Sequence, residues 1–72
     1  MTPEQVRAVL RLSAGAVVSA RQFTPGQLTE FAGIAAQTGA ALTVRDAASL
    51  TPDARAALAA AAGRSLTFDF TE

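Results

Sequence analysis

The 72-residue chain contains no cysteine and no histidine. Disulfide staples are therefore excluded, and structural zinc and haem sites lose their usual ligands. Lysine and tyrosine are absent as well, so any nucleophilic or acid–base chemistry would fall to hydroxyls and carboxylates alone. The carboxylates do not gather along the chain, and Ser13, Ser19, Ser49 and Ser65 have no base partner. The sequence reads as non-enzymatic, with no catalytic residue, no cofactor and no metal site. An excess of charge is also missing: six scattered arginines (Arg7, Arg11, Arg21, Arg45, Arg55, Arg64) balance six carboxylates. A nucleic-acid footprint needs basic clustering, so no nucleic-acid partner is expected.

Long hydrophobic runs are lacking. The longest uncharged stretch, Phe31 to Val44, is broken by Gln37, Thr38 and glycines and is too short to span a bilayer, so no membrane role is expected. Arg7 and Arg11 ahead of Leu12 to Ala20 loosely mimic a signal peptide, but the apolar run is short and doubles as a strand. The compartment stays open, with the cytoplasm slightly favoured. Large side chains are scarce too, since eighteen alanines dominate the apolar half and bury little area each. The poverty of lysine, asparagine and tyrosine beside abundant alanine and arginine fits a GC-rich bacterial genome. A single domain this small has a marginal core, and without disulfides or metals the remaining common stabilising device is oligomerisation.

What is present is a threefold pattern. Thr-Pro occurs at Thr2-Pro3, Thr24-Pro25 and Thr51-Pro52, each followed by an apolar-periodic stretch, a glycine and a strand-like run. Threonine suits a helix N-cap, proline suits the first helical position where its missing N–H is harmless, and Gly15, Gly39 or Gly63 can end the helix in a left-handed conformation. Met1, Phe23 and Leu50 precede the threonines as outer halves of hydrophobic staples, with Arg55 failing to supply an inner half in the third unit. Val6, Leu28 and Arg55 share one register position and Val9, Phe31 and Leu58 another; Leu12, Ile34 and Ala61 extend the same stripe.

The glycines recur 24 residues apart and lead into Ala16-Val17-Val18-Ser19, Leu42-Thr43-Val44-Arg45 and Leu66-Thr67-Phe68-Asp69. Alternation places Ala16, Leu42 and Leu66 in one column and Val18, Val44 and Phe68 in the next, both toward the helices. Val17, Thr43 and Thr67 then point the other way. The predicted order is helix 3–13, strand 16–20, helix 25–38, strand 41–45, helix 52–62 and strand 65–70. The fold expected is a single α/β domain over 1–72. Its three αβ repeats (about 1–22, 23–49 and 50–72) form an open solenoid, with a three-stranded parallel sheet and helices on one face. This arrangement resembles leucine-rich-repeat and related α/β solenoid proteins in architecture, without the asparagine ladder or the Leu-x-x-Leu-x-Leu pattern. The resemblance implies an elongated stack and no particular binding residues.

Stacks of this kind expose a helix flank and a strand edge at each end unless polar terminal repeats close them. No such cap is recognisable, and Phe70-Thr71 repeats the apolar-threonine pair that opens the second and third units. The expected function is therefore self-assembly, with one copy's last unit meeting the next copy's first, head to tail, into a filament or scaffold. The candidate interface residues are Thr2, Val6 and Val17 at one end and Leu58, Thr67, Phe68, Asp69 and Phe70 at the other. The small Ala56, Ala57, Ala60 and Ala61 would allow close helix approach. The alternative is a monomeric protein-binding or regulatory module that captures a partner at its strand edge, its own edges blunted by Arg21, Arg64 and Glu72.

Other groupings read as structural. Asp46 and Asp69 near adjacent strand ends, beside Arg21 and Arg45, form a solvated charge cluster. Glu4 and Asp53 complement helix dipoles in first turns, and Glu30 is a surface charge. Thr24-Pro25-Gly26-Gln27 is a helix start without the glycine spacing of a nucleotide site. Phe23, Phe31, Phe68 and Phe70 are core or joint residues, since their surroundings are apolar and not basic.

Overall fold

The computed structural model describes residues 2–70. Met1, Thr71 and Glu72 lie outside them, and with them the first staple residue, half of the Phe70-Thr71 pair and the edge charge at Glu72. Helices and strands alternate: α1 (Pro3–Arg11), β1 (Ala16–Ser19), α2 (Pro25–Thr38), β2 (Leu42–Arg45), α3 (Pro52–Ala62) and β3 (Leu66–Phe68). Short 3₁₀ turns at Ala47–Ser49 and Gly63–Ser65 lead into and out of α3. The strands form one sheet in the order β1-β2-β3, all parallel. The chain is thus a mixed α/β domain, three helices on a three-stranded parallel sheet.

Each helix starts as the Thr-Pro pairs predict. The hydroxyls of Thr2, Thr24 and Thr51 accept from the backbone N–H of Gln5, Gln27 and Ala54 at 3.2, 3.2 and 3.1 Å. Two starts are closed more completely. Gln5 Oε1 accepts from Thr2 N–H at 2.9 Å and Gln27 Oε1 from Thr24 N–H at 3.0 Å, so both orphan donors are satisfied reciprocally. Ala54 occupies the matching position in α3 and cannot return the bond.

The helix ends differ from one another. Gly39 caps α2 in the left-handed region, φ 78° and ψ 11°, as its lack of a Cβ allows. Gly63 also has positive φ (57°), but its ψ of −125° is a glycine-accessible extended conformation, not the expected left-handed cap, and it opens the 3₁₀ turn into β3. In α1 the left-handed residue is Ser13 (φ 62°) and not Gly15, so the helix stops two residues before its predicted end. Ser13 is held there by two bonds, its N–H donating to Leu10 O at 3.0 Å and its hydroxyl to Thr38 O at 2.7 Å. The Thr38 hydroxyl in turn lies 2.7 Å from Leu10 O and 3.0 Å from Ile34 O. These hydroxyls tie the C-terminal ends of α1 and α2 together, using carbonyls that the helices leave unpaired.

Register follows the alternation: Ala16 pairs with Leu42 and Leu42 with Leu66, Val18 with Val44 and Val44 with Phe68. These columns pack with Val6, Leu10, Leu28, Phe31, Ala32, Ala35, Leu58 and Ala62 of the helices in one core. Phe23 and Phe31 meet edge to face with ring centres 5.2 Å apart. Phe23 and Leu28 are both buried, as the second staple requires, and Leu50 is buried without an apolar partner at Arg55. No buried side-chain polar atom among the described residues lacks a hydrogen bond. Across the top of the helices the Arg7 guanidinium donates to Glu30 Oε1 from Nε and Nη2 at 2.9 and 2.7 Å. Glu30 is thus a link between α1 and α2, not only a solvated charge.

Candidate functional site

Exposed apolar bulk is confined to the two outer thirds of the domain. Leu12 is 80% exposed, Val17 57% and Phe70 52%, and α2 and β2 carry no comparable side chain. Leu12 follows α1 and belongs off the buried stripe: because α1 ends at Arg11, the chain turns before that position can face the core. This corrects its predicted place beside Ile34 and Ala61, which do pack on the core. Val17 stands on the helix-free face of β1, where alternation put it. Phe70 continues the helix-side column beyond Phe68, with the two rings 6.3 Å apart, and the Arg55 guanidinium sits 5.6 Å from its ring centre. Arg55, read as a missing staple half, thus partly covers Phe70.

The eight candidate interface residues separate into three groups. Val6 and Leu58 are fully enclosed in the core, at 0% and 1% exposure, and cannot touch a neighbour. Their register positions face the sheet because Val6 shares its stripe with Leu10, and Leu58 with Ala62. Thr2 is exposed at the start of α1 with its hydroxyl engaged in the cap. Val17, Thr67, Phe68, Asp69 and Phe70 do lie at sheet edges: Thr67 and Phe70 are exposed, Phe68 and Asp69 half-buried. Ala56, Ala57 and Ala60 are exposed on α3, whereas Ala61 is half-buried against the core.

Backbone bonding defines which groups the edges present. Ala16 and Ala20 donate to Ala41 O and Arg45 O, each at 2.9 Å, so the even residues of β1 turn their backbone groups toward β2. The alternation of a parallel strand then aims those of Val17 and Ser19 outward. On the other side Asp69 N–H donates to Val44 O at 2.8 Å and Asp69 O accepts from Ala47 N–H at 3.2 Å. The odd residues after Leu66 face inward, and the outer edge of β3 carries the backbone of Leu66 and Phe68.

The polar groupings are self-contained. The Ser19 hydroxyl donates to Asp46 Oδ2 at 2.7 Å, closing the strand ends where the charge cluster was expected, and Asp46 holds a left-handed backbone (φ 56°) that aspartate tolerates. Glu4, Arg7, Arg11 and Glu30 line a shallow depression whose centre is the Arg7–Glu30 ion pair. Among the described residues no three acidic side chains meet to hold a metal, and no helix is long and apolar enough to cross a membrane. No protein-family model, curated protein or solved structure matches the chain.

Proposed function

We propose that this protein is a non-enzymatic, self-assembling α/β solenoid of three repeats, whose copies stack end to end into a filament or scaffold. The observation that carries this reading is the placement of Leu12, Val17 and Phe70: the exposed large apolar side chains among the described residues sit in the first and last repeats, which carry the two outer strands, and the middle repeat has none. Apolar surface at an unpaired edge favours strand addition. The two ends differ, so the contact is heterologous, and a heterologous contact that does not close a ring propagates. A balanced net charge opposes such stacking little. In this reading the architecture resembles that of leucine-rich-repeat-like solenoids, with α2 between its two neighbours standing for any interior repeat.

Phe70→Asp tests the reading by sedimentation velocity over a concentration series. The variant should stay monomeric with helical content unchanged, while the parent grows in mass with concentration. A parent that stays monomeric at every concentration supports the second reading instead: a binding module whose β3 edge, flanked by Phe70, captures a strand from another protein.

A further inference from the structure

Resting on the end-to-end reading, we infer that the joint continues the sheet in one register. In it β3 of one copy pairs parallel with β1 of the next, Leu66 opposite Ala16, Thr67 opposite Val17 and Phe68 opposite Val18. The occupant of each edge is a second copy of this chain, because the groups that the two edges leave free match one another. At the β3 edge, Leu66 N–H is already used, donating to Gly63 O in the turn. Leu66 C=O and both backbone groups of Phe68 remain. At the β1 edge, Ser19 C=O accepts from Gln22 N–H at 3.1 Å. Ser19 N–H and both backbone groups of Val17 remain.

A parallel ladder pairs these groups without remainder. Val17 N–H donates to Leu66 C=O, Phe68 N–H to Val17 C=O, and Ser19 N–H to Phe68 C=O. This is the pattern already present between β1 and β2, where Ala16 N–H reaches the residue before its partner Leu42. A shift by one residue would turn inward-facing groups to the edge and reverse the two faces, which a sheet buried on one side resists. A shift by two that set Leu66 opposite Val18 would leave the backbone groups of Val17 and Phe68 unmatched, and the opposite shift would have to draw on Phe70, beyond the end of β3.

Side chains agree with that register. The column Ala16, Leu42, Leu66 would continue to the next Ala16, and Val18, Val44, Phe68 to the next Val18, placing small residues beside the bulky half-buried ones. On α1, Arg7 faces α2 through its bond to Glu30. At about 100° per residue, Gln5 and Val9 lie about 160° round from Arg7, on the flank away from α2. That flank is the one that would meet α3 of the preceding copy, with the exposed Leu12 following the helix end. Three strands per copy give an axial advance of about 14 Å.

The chain has no cysteine of its own, so the register can be read by cross-linking. Val17→Cys and Thr67→Cys are prepared separately, mixed in equal amounts, assembled, and treated with a short thiol-to-thiol cross-linker. The mixture should yield a covalent 17-to-67 dimer that neither variant yields alone. A dimer formed by Val17→Cys alone would mean a symmetric β1-to-β1 contact, and a stronger product from Val17→Cys with Asp69→Cys would mean a two-residue slip; either overturns the register. Sedimentation of the same samples before cross-linking separates the two claims. Assembled material with the wrong links rejects this joint and leaves self-assembly standing, whereas monomer throughout rejects both.

Discussion

At the β1 edge, Ala16 and Val18 are 6% and 3% exposed beneath a helix with two closed cap bonds. At the β3 edge, their counterparts Leu66 and Phe68 are only half-buried and Phe70 beyond them is open to solvent. The helices above explain the difference. α1 lays Val6, Val9 and Leu10 over its strand, while α3 offers alanine at most positions and a single leucine, Leu58. A row of alanines covers little area, so larger strand residues beneath it stay partly wet. On the helix side, the β1 column is sealed by its own helix, whereas the β3 column keeps apolar surface uncovered.

Two phenylalanines sharpen this contrast most. Phe31 is wholly enclosed at the centre of the core, whereas Phe70 touches only Phe68 and Arg55 among the ring contacts. Phe31→Ala should cost about 3–5 kcal/mol, a large share of the roughly 5–15 kcal/mol that stabilises a typical domain. Urea unfolding followed by circular dichroism should then show a large drop in midpoint for Phe31→Ala and little change for Phe70→Ala. Equal losses at the two sites would mean that Phe70 belongs to the core after all.

Proline at neighbouring positions of β1 probes edge against interior. Val18 shares the inward parity of Ala16 and Ala20, so Val18→Pro removes a donor to β2 and should destabilise by about 1–3 kcal/mol. Val17→Pro removes an outward donor and should leave the monomer folded while abolishing growth in mass. If the two variants exchange these behaviours, the edge assignment is wrong.

Smaller effects test the helix starts and the tie between helices. Thr24→Ala and Thr51→Ala should each lower stability by about 0.5–2 kcal/mol, measured in the same urea titration, because each hydroxyl accepts a first-turn backbone N–H. Glu30→Gln should cost about 0.2–1 kcal/mol at low ionic strength, since its carboxylate is nearly half exposed. The difference should shrink near 1 M salt, where screening is strong.

Much of the fold was legible because the chain repeats its local instructions. Threonine before proline marked all three starts, α2 and α3 run over the predicted residues, and alternation after the glycines set the pairing of β1, β2 and β3. Less was legible where a tertiary partner decides. Ser13 takes the left-handed turn because Thr38, far along the chain, accepts its hydroxyl, and no local signal announces that bond. Arg7 and Glu30 likewise meet only once two helices are set side by side.

The candidate interface was legible in part for a related reason. Periodicity finds the buried face of a helix but not its flanks, so Val6 and Leu58 of the apolar stripe were counted as interface residues too, although they point at the sheet. Strand alternation is simpler, and Val17 and Thr67 stand on the face it predicted. Leu12 was missed as an exposed residue because its spacing fits a helix that ends one residue too soon to hold it.

Electron microscopy of the purified protein across a dilution series bears most directly on the uncovered β3 end. Filaments with an axial advance near three strand spacings, about 14 Å per subunit, are expected, dissolving on dilution. Particles of monomer size at every concentration, or filaments whose advance is unrelated to the strand spacing, would contradict this end-to-end stacking.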